Sequence, residues 1–259
     1  MPFELYRDAH HQCLMFSDLG RDGGEAVQSN QFLIVNRDTG AIIDPGGNLA
    51  YNELLLGMTK HFPPSKLSAI VASHADPDII ASLARWLSGT DCRLVISSLW
   101  SRFAPHFCTG TRTDGRILGV GDAGGLLPLG ATSISLLPAH FLHSEGNFQF
   151  YDPVAKILFS GDLGASLMPP AVCGRSVTDF DAHVQRMAGF HRRYMISNKV
   201  GRLWARMVRQ LDIEMIVPQH GPHFRGKAMV KSFIDWIDGL QCGVDLVSES
   251  NYALPQISL

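Results

Sequence analysis

The chain has 259 residues, 46% of them hydrophobic, and a formal net charge of -2. That is enough apolar material for a sizeable core in one large domain. The near-neutral balance gives no electrostatic case for nucleic acid or an anionic membrane as partner.

The five cysteines, Cys13, Cys92, Cys108, Cys173 and Cys242, are odd in number and contain no CxxC pair. They read as reduced thiols in a cytoplasm rather than a disulfide framework, and they exclude a rubredoxin-type iron site. The start, Met1 to Asp8, has an early acidic residue and no apolar run, so it is not a signal peptide. No apolar stretch reaches the roughly 18 residues of a membrane span. The expected location is therefore cytoplasmic.

Residues 31–35 and 41–44 are apolar, β-prone runs joined by the turn chemistry of 36–40, a first hairpin. Pro45-Gly46-Gly47 stops the strand, and a helix is expected over 51–60. Residues 66–73 read as a buried strand ending at His74-Ala75-Asp76-Pro77-Asp78. Asp78 is the expected N-cap of a helix to about Leu87, with Ile79, Leu83 and Trp86 inward and Gly89 as its stop. A short strand follows at 93–96, then a helical turn or two at 100–107. Glycines and prolines break 116–137 into short strands. Residues 147–151 and 156–160 form a second hairpin around Asp152-Pro153-Val154-Ala155. Helical periodicity runs over 181–196 and 200–211, a strand over 214–217, and an amphipathic helix over 226–240. The basic run Phe190-His191-Arg192-Arg193-Tyr194 reads as a solvated helix face. The expected organisation is one domain over 1–247 with a loose polar tail at 248–259.

Six metal-ligand-type residues stand just beyond strand ends: His74, Asp76 and Asp78, then His143, Asp162 and His220. Loops at strand ends on a rigid scaffold are where sites are usually built. In His74-x-Asp76-x-Asp78, one short peptide can serve two metals, although solvated turn carboxylates would also explain it. His140 competes with His143, and the sharp turn Ser144-Glu145-Gly146 favours His143. Asp162, in Gly161-Asp162-Leu163-Gly164, can approach two ions closely and is the bridging candidate; a turn or capping aspartate is the bland alternative. His220, in Pro218-Gln219-His220-Gly221, completes the imidazoles. Nitrogen and oxygen donors without thiolate suit non-heme iron or manganese and are compatible with zinc. Two divalent ions against three carboxylates leave about one positive charge, suited to anionic reduced-oxygen species.

Asp44-Pro45-Gly46-Gly47, the His74 cluster, His143, Gly161-Asp162 and His220-Gly221 together resemble the metallo-β-lactamase superfamily over about 25–240. Most hydrolases of that superfamily carry HxHxDH; here Asp76 and Ile79 replace two histidines. The pattern is closer to the flavodiiron proteins, and Tyr194-Met195-Ile196-Ser197-Asn198 resembles their YYAN segment. The overall resemblance is strongest to the stand-alone oxygen-binding diiron proteins, carried by Phe148 to Pro153 and Leu158 to Gly164. It implies an α+β fold, a four-layer αβ/βα sandwich. It also implies two irons, bridged by oxide, hydroxide or peroxide. His74, Asp76 and His143 would hold one iron, Asp78 and His220 the other, and Asp162 would bridge. Asp76 is shorter than the flavodiiron Glu, and Ile79 leaves the second iron one ligand poor. Too little chain follows His220 for a flavin domain, so turnover would need an external electron donor.

Three readings follow. The first is a diiron protein that binds, senses or reduces dioxygen, with nitric oxide as another candidate substrate; Tyr194 would give a proton or hydrogen bond to the bound oxygen, or else be a buried helix-face tyrosine. The second is a zinc- or manganese-dependent hydrolase. The third is a non-catalytic signalling partner. A redox or signalling protein partner and a homodimer are compatible with the chain.

Overall fold

The computed structural model describes residues 2–17, 19–20, 27–169, 172 and 174–254. Cys173 and the end of the tail, 255–259, lie outside them. The other four cysteines are buried free thiols.

The strands alternate their side chains between two faces, and most carry apolar residues on both. Such strands need cover on each side. β1 (Phe3–Arg7), β2 (His11–Ser17), β3 (Asn30–Asn36), β4 (Thr39–Ile43), β5 (Leu67–Val71), β6 (Arg93–Ser97) and β7 (Ile117–Val120) form one sheet in chain order. β1 to β4 pair antiparallel, whereas β4 to β7 pair parallel. The second sheet holds β8 (Gly125–Leu129), β9 (Thr132–Pro138), β10 (Phe148–Asp152), β11 (Ile157–Phe159), β12 (Met215–Val217) and β13 (Phe224–Arg225), in the order β13-β12-β11-β10-β9-β8. Only β11 and β12 pair parallel there.

Phe32 and Ile34 of β3 face Phe148, Phe150 and Phe159 of the other sheet, and the Phe32 and Phe159 rings lie 4.9 Å apart. The intervening Leu33 packs instead beneath the helices on the first sheet's outer face. Those helices are α1 (Asn48–Thr59), α2 (Pro77–Ile80), α3 (Leu83–Gly89), α4 (Ser98–Ser101) and α5 (Ala104–Phe107). The outer face of the second sheet is covered by α6 (Phe180–Tyr194), α7 (Asn198–Val208) and α8 (Lys227–Gly239), packed through Met187, Trp204 and Phe233. The layers run helix, sheet, sheet, helix, as the expected αβ/βα sandwich requires.

Both hairpins and the long helices lie where the sequence puts them. Three differences stand out. Asp78 is not an N-cap: Asp76 occupies that position, and Asp78 sits inside the first turn of α2. The expected helix to Leu87 is two helices, interrupted where the Ser82 hydroxyl donates to the Gly46 carbonyl at 2.5 Å. Ile79, Leu83 and Trp86 nonetheless face inward as expected. Finally, β1, β2 and the short β13 were not foreseen. Beyond 247, Glu249–Tyr252 is a single 3-10 turn.

Candidate metal centre

One end of the sandwich collects the strand ends that matter. β5 leads through Ser73 to His74, β11 through Ser160 to Asp162, and β12 through Pro218 to His220. Backbone hydrogen bonds tie these ends together: Phe148 N–H donates to Ser73 O (2.9 Å), Ser160 to Val217 (3.0 Å) and Gln219 to Gly161 (2.8 Å).

Each side chain is aimed by a local device. Asp44, in the left-handed region at φ 49°, accepts the Ser73 N–H on Oδ1 at 2.8 Å and so fixes the segment entering His74. Pro77 starts α2, where its missing N–H costs nothing. Gly47 lets α1 approach this turn, because a Cβ there would lie 3.0 Å from the Pro77 carbonyl oxygen. Asn147 Nδ2 donates to the Leu142 carbonyl at 2.5 Å and braces the His143 loop. His191 Nε2 accepts the Gly164 N–H at 2.8 Å, while its Nδ1 donates to Met187 O at 2.8 Å, which ties the Asp162 loop to α6. Gly221 takes φ +83°, and a Cβ on it would fall 2.2 Å from Ser166 Oγ.

The structure brings all six expected residues together. Asp162 Oδ2 lies 3.1 Å from His143 Nε2 and 3.9 Å from His74 Nε2. Asp76 Oδ2 lies 3.5 Å from His143 Nε2 and 3.6 Å from His74 Nε2. The other oxygen, Asp162 Oδ1, faces His220 Nε2 at 3.3 Å, and that nitrogen is 3.4 Å from Asp78 Oδ2. One carboxylate thus presents its two oxygens to two different groups. His140 is elsewhere, its Nε2 against the Asp122 carbonyl at 2.8 Å.

His74 and Asp162 are buried, whereas the Asp76 and Asp78 side chains are 44% and 40% exposed. His74 Nε2 and Asp162 Oδ1 are buried without a hydrogen-bond partner. Buried unpaired polar atoms are costly, so their presence at a site calls for an explanation.

The charges respond to this crowding. Burial opposes a charged His143, but hydrogen bonds to Asp162 and Asp76 outweigh it and push the imidazole up to about 10. Burial likewise opposes a charged His220, and the Asp162 and Asp78 carboxylates push it up to about 9. Burial works against the Asp162 anion, yet His143 and His220 hold it well below the usual range. His143 and His74 hold Asp76 low as well. Behind them, burial raises Asp44 to about 6.

Tyr194 ends α6. Its ring meets the His143 ring edge-on at 5.6 Å and stacks on Phe190 at 4.7 Å. It is 55% exposed, so the alternative of a buried helix-face tyrosine is corrected. Gln219 and His191 were not foreseen as parts of the site. The position of Gln219 beside His220 was the only sequence signal for it.

A two-sheet sandwich with His and Asp residues gathered on loops at one end defines a metallo-β-lactamase-fold protein. Residues 27–221 match the model of the ODP family beta lactamases, and the chain belongs to that family. A solved structure titled as the peroxy diiron species of chemotaxis sensor ODP is 36% identical, with TM-score 0.85, covering 97% of this chain and 99% of that one. The apo state of chemotaxis sensor ODP from T. denticola is 35% identical, with TM-score 0.83, covering 98% and 99%. Rubredoxin:oxygen oxidoreductase from Desulfovibrio gigas shares the fold at 16% identity and TM-score 0.75, covering 91% of this chain and 60% of that one. An uncharacterised protein of Methanocaldococcus jannaschii is 22% identical over 198 residues, 74% of this chain. The chain spans 48% of the length of that curated relative.

Proposed function

We propose that this protein is a non-heme diiron protein that binds and senses dioxygen. His74, Asp76 and His143 would hold one iron, Asp78 and His220 the other, and Asp162 would serve both. The observation that carries the reading is the division of the Asp162 carboxylate, with Oδ2 toward His143 and His74 and Oδ1 toward His220. The residues fit the ions. Two donor atoms, His74 Nε2 and Asp162 Oδ1, are buried and make no hydrogen bond, only ion-pair contacts of 3.3 to 3.9 Å, and the donor set is nitrogen and oxygen without thiolate.

When bound, a ferrous pair supplies the electrons for dioxygen chemistry. The protein supplies orientation and proton control. Ser73 Oγ faces His74 Nδ1 at 2.9 Å, and the Gln28 carbonyl faces His220 Nδ1 at 2.6 Å. Each contact holds the far nitrogen of a ligand ring and leaves Nε2 for the metal. Phe190 and Tyr194 cover the outer side of His143. Tyr194, whose ring meets that of His143, would give a hydrogen bond to a small molecule held at the site.

The 36%-identical chemotaxis sensor supports a sensory role over turnover. A signalling protein partner in the cytoplasm follows from the same reading, with reduction of dioxygen requiring an external donor. No helix among the described residues is long and apolar enough to cross a membrane. The test is metal analysis with anaerobic reduction and re-oxidation spectra. Two irons per chain and an absorbance band on exposure to air are expected; two zinc ions and silence toward dioxygen would overturn the reading.

A further inference from the structure

The two halves of the site are not equally furnished. On one side His74 and His143 each meet both Asp162 Oδ2 and Asp76 Oδ2, whereas on the other, among the described residues, His220 alone meets Asp162 Oδ1 and Asp78 Oδ2. Ile79, next along from Asp78, is fully buried in the core beneath the helices and offers no donor. Yet a polar side chain stands beside this poorer half. Gln219 is fully buried, and its Nε2 donates to Asp78 Oδ2 at 3.2 Å. Its Oε1 is buried with no hydrogen-bond partner. Covalent geometry keeps that oxygen within one carboxamide's width of the donating nitrogen.

The backbone of Gln219 is fixed from both sides. Its N–H donates to the Gly161 carbonyl at 2.8 Å, and its carbonyl accepts the Asn30 N–H at 2.6 Å. The residue is thus tied to the loop of Asp162, bonded to Asp78 and adjacent in sequence to His220. A buried amide oxygen without a partner is unfavourable, because it has lost its water and gained nothing in return. A carbonyl oxygen is also a donor that hard divalent ions accept.

We propose that Gln219 completes the second metal position, its Oε1 acting as the neutral oxygen donor while its Nε2 orients the Asp78 carboxylate. The assignment rests on the dinuclear reading above. It makes the second position dependent on a residue the first does not use.

The test is anaerobic titration of the metal-free, full-length protein with Co(II), followed by calorimetry and by the visible spectrum. The wild-type chain is expected to take up two ions in two steps. Gln219→Leu should leave the first step unchanged and weaken the second by ~10- to 100-fold, the range seen when a group supporting a metal site is removed. Gln219→Glu keeps an oxygen donor but loses the Nε2 donor to Asp78, and should bind the second ion more tightly than Gln219→Leu, with part of its Co(II) absorption regained. With a two-ion wild type, an unchanged second step in Gln219→Leu would overturn the role of Gln219 and leave the dinuclear reading standing. A second step no tighter in Gln219→Glu than in Gln219→Leu would overturn Oε1 as the donor. Equal weakening of both steps in either variant would mark a merely structural residue. Uptake of fewer than two ions by the wild type would remove the dinuclear reading together with this one.

Discussion

Two clusters of His, Asp and Cys type occupy opposite ends of the sandwich, and only one looks unfinished. At the far end, His11, Cys13 and Asp152 lie within bonding reach and are all buried. Asp152 Oδ2 accepts His11 Nε2 at 2.6 Å and Cys13 Sγ at 3.2 Å, while Oδ1 accepts the Val154 and Ala155 N–H groups at 2.9 and 3.3 Å. Asn36 Nδ2 donates to His11 Nδ1 at 3.1 Å, and its Oδ1 accepts the Ala131 N–H at 2.8 Å. This fixes the amide and puts the ring hydrogen on Nε2, against Asp152. Burial and the Asp152 charge hold the Cys13 thiol well above its ordinary value, so it remains a donor. A metal at Nε2 would need the ring hydrogen on Nδ1, where the Asn36 amide already points. The triad is a closed hydrogen-bonded network, whereas the His74 cluster keeps two orphaned donor atoms. Residue types alone do not mark a metal site; here one cluster closes on itself, and the other turns three imidazole nitrogens toward the two oxygens of one aspartate.

Substitutions at the two ends should therefore have different consequences. The largest effect is expected from Asp152→Ala. It strands the His11 and Cys13 donors in the core, and denaturant unfolding of the metal-free protein should show a loss of ~3–5 kcal/mol, with metal stoichiometry unchanged. His191→Leu removes the acceptor of the Gly164 N–H and should cost ~1–3 kcal/mol while also loosening metal uptake through Asp162. Asp162→Asn differs from Asp152→Ala in what it does to the metal. The metal-free chain should lose ~1–3 kcal/mol as His143 and His220 lose a charged partner, and uptake of both ions should fail in metal analysis.

Protons sharpen the same point. His143 and His220 titrate near 10 and 9 in the metal-free protein, against an ordinary 6.5. Their contribution to stability is fully present below pH 6.5 and is lost as pH rises through 9 to 10. Metal binding needs the same nitrogens bare, so affinity should rise with pH over this window and protons should be released. Calorimetry in buffers of different ionisation heat measures that release; none at neutral pH would contradict it. The smallest effect is expected from Tyr194→Phe at its exposed position. Stability should stay within about 0.5 kcal/mol and metal content should not change, while decay of the air-induced absorbance band should quicken.

Much of this molecule is legible in its chain because local rules and global fold agree. The apolar runs of β3, β4, β10 and β11 carry turn residues at their ends, and the six site residues follow strand ends, so their convergence is a consequence of the sandwich. What was missed depended on distant contacts. β1 is mostly exposed and mixes charged residues with apolar ones, so it gains its strand character from pairing with β2. The break between α2 and α3 comes from a hydrogen bond between Ser82 and Gly46, 36 positions apart. His11 and Asp152 are 141 positions apart, as are Asp78 and Gln219. Neither pair leaves a spacing pattern to find.

The centre draws on both sheets: His74 follows β5 in one, while His143, Asp162 and His220 follow β9, β11 and β12 in the other. No fragment holding a single sheet carries the full set of donors. An ion seated there would act as a clasp across the two halves, taken up late in folding, after the halves have mated. Chelation would then unfasten the molecule at one end while the His11 triad kept the other end shut.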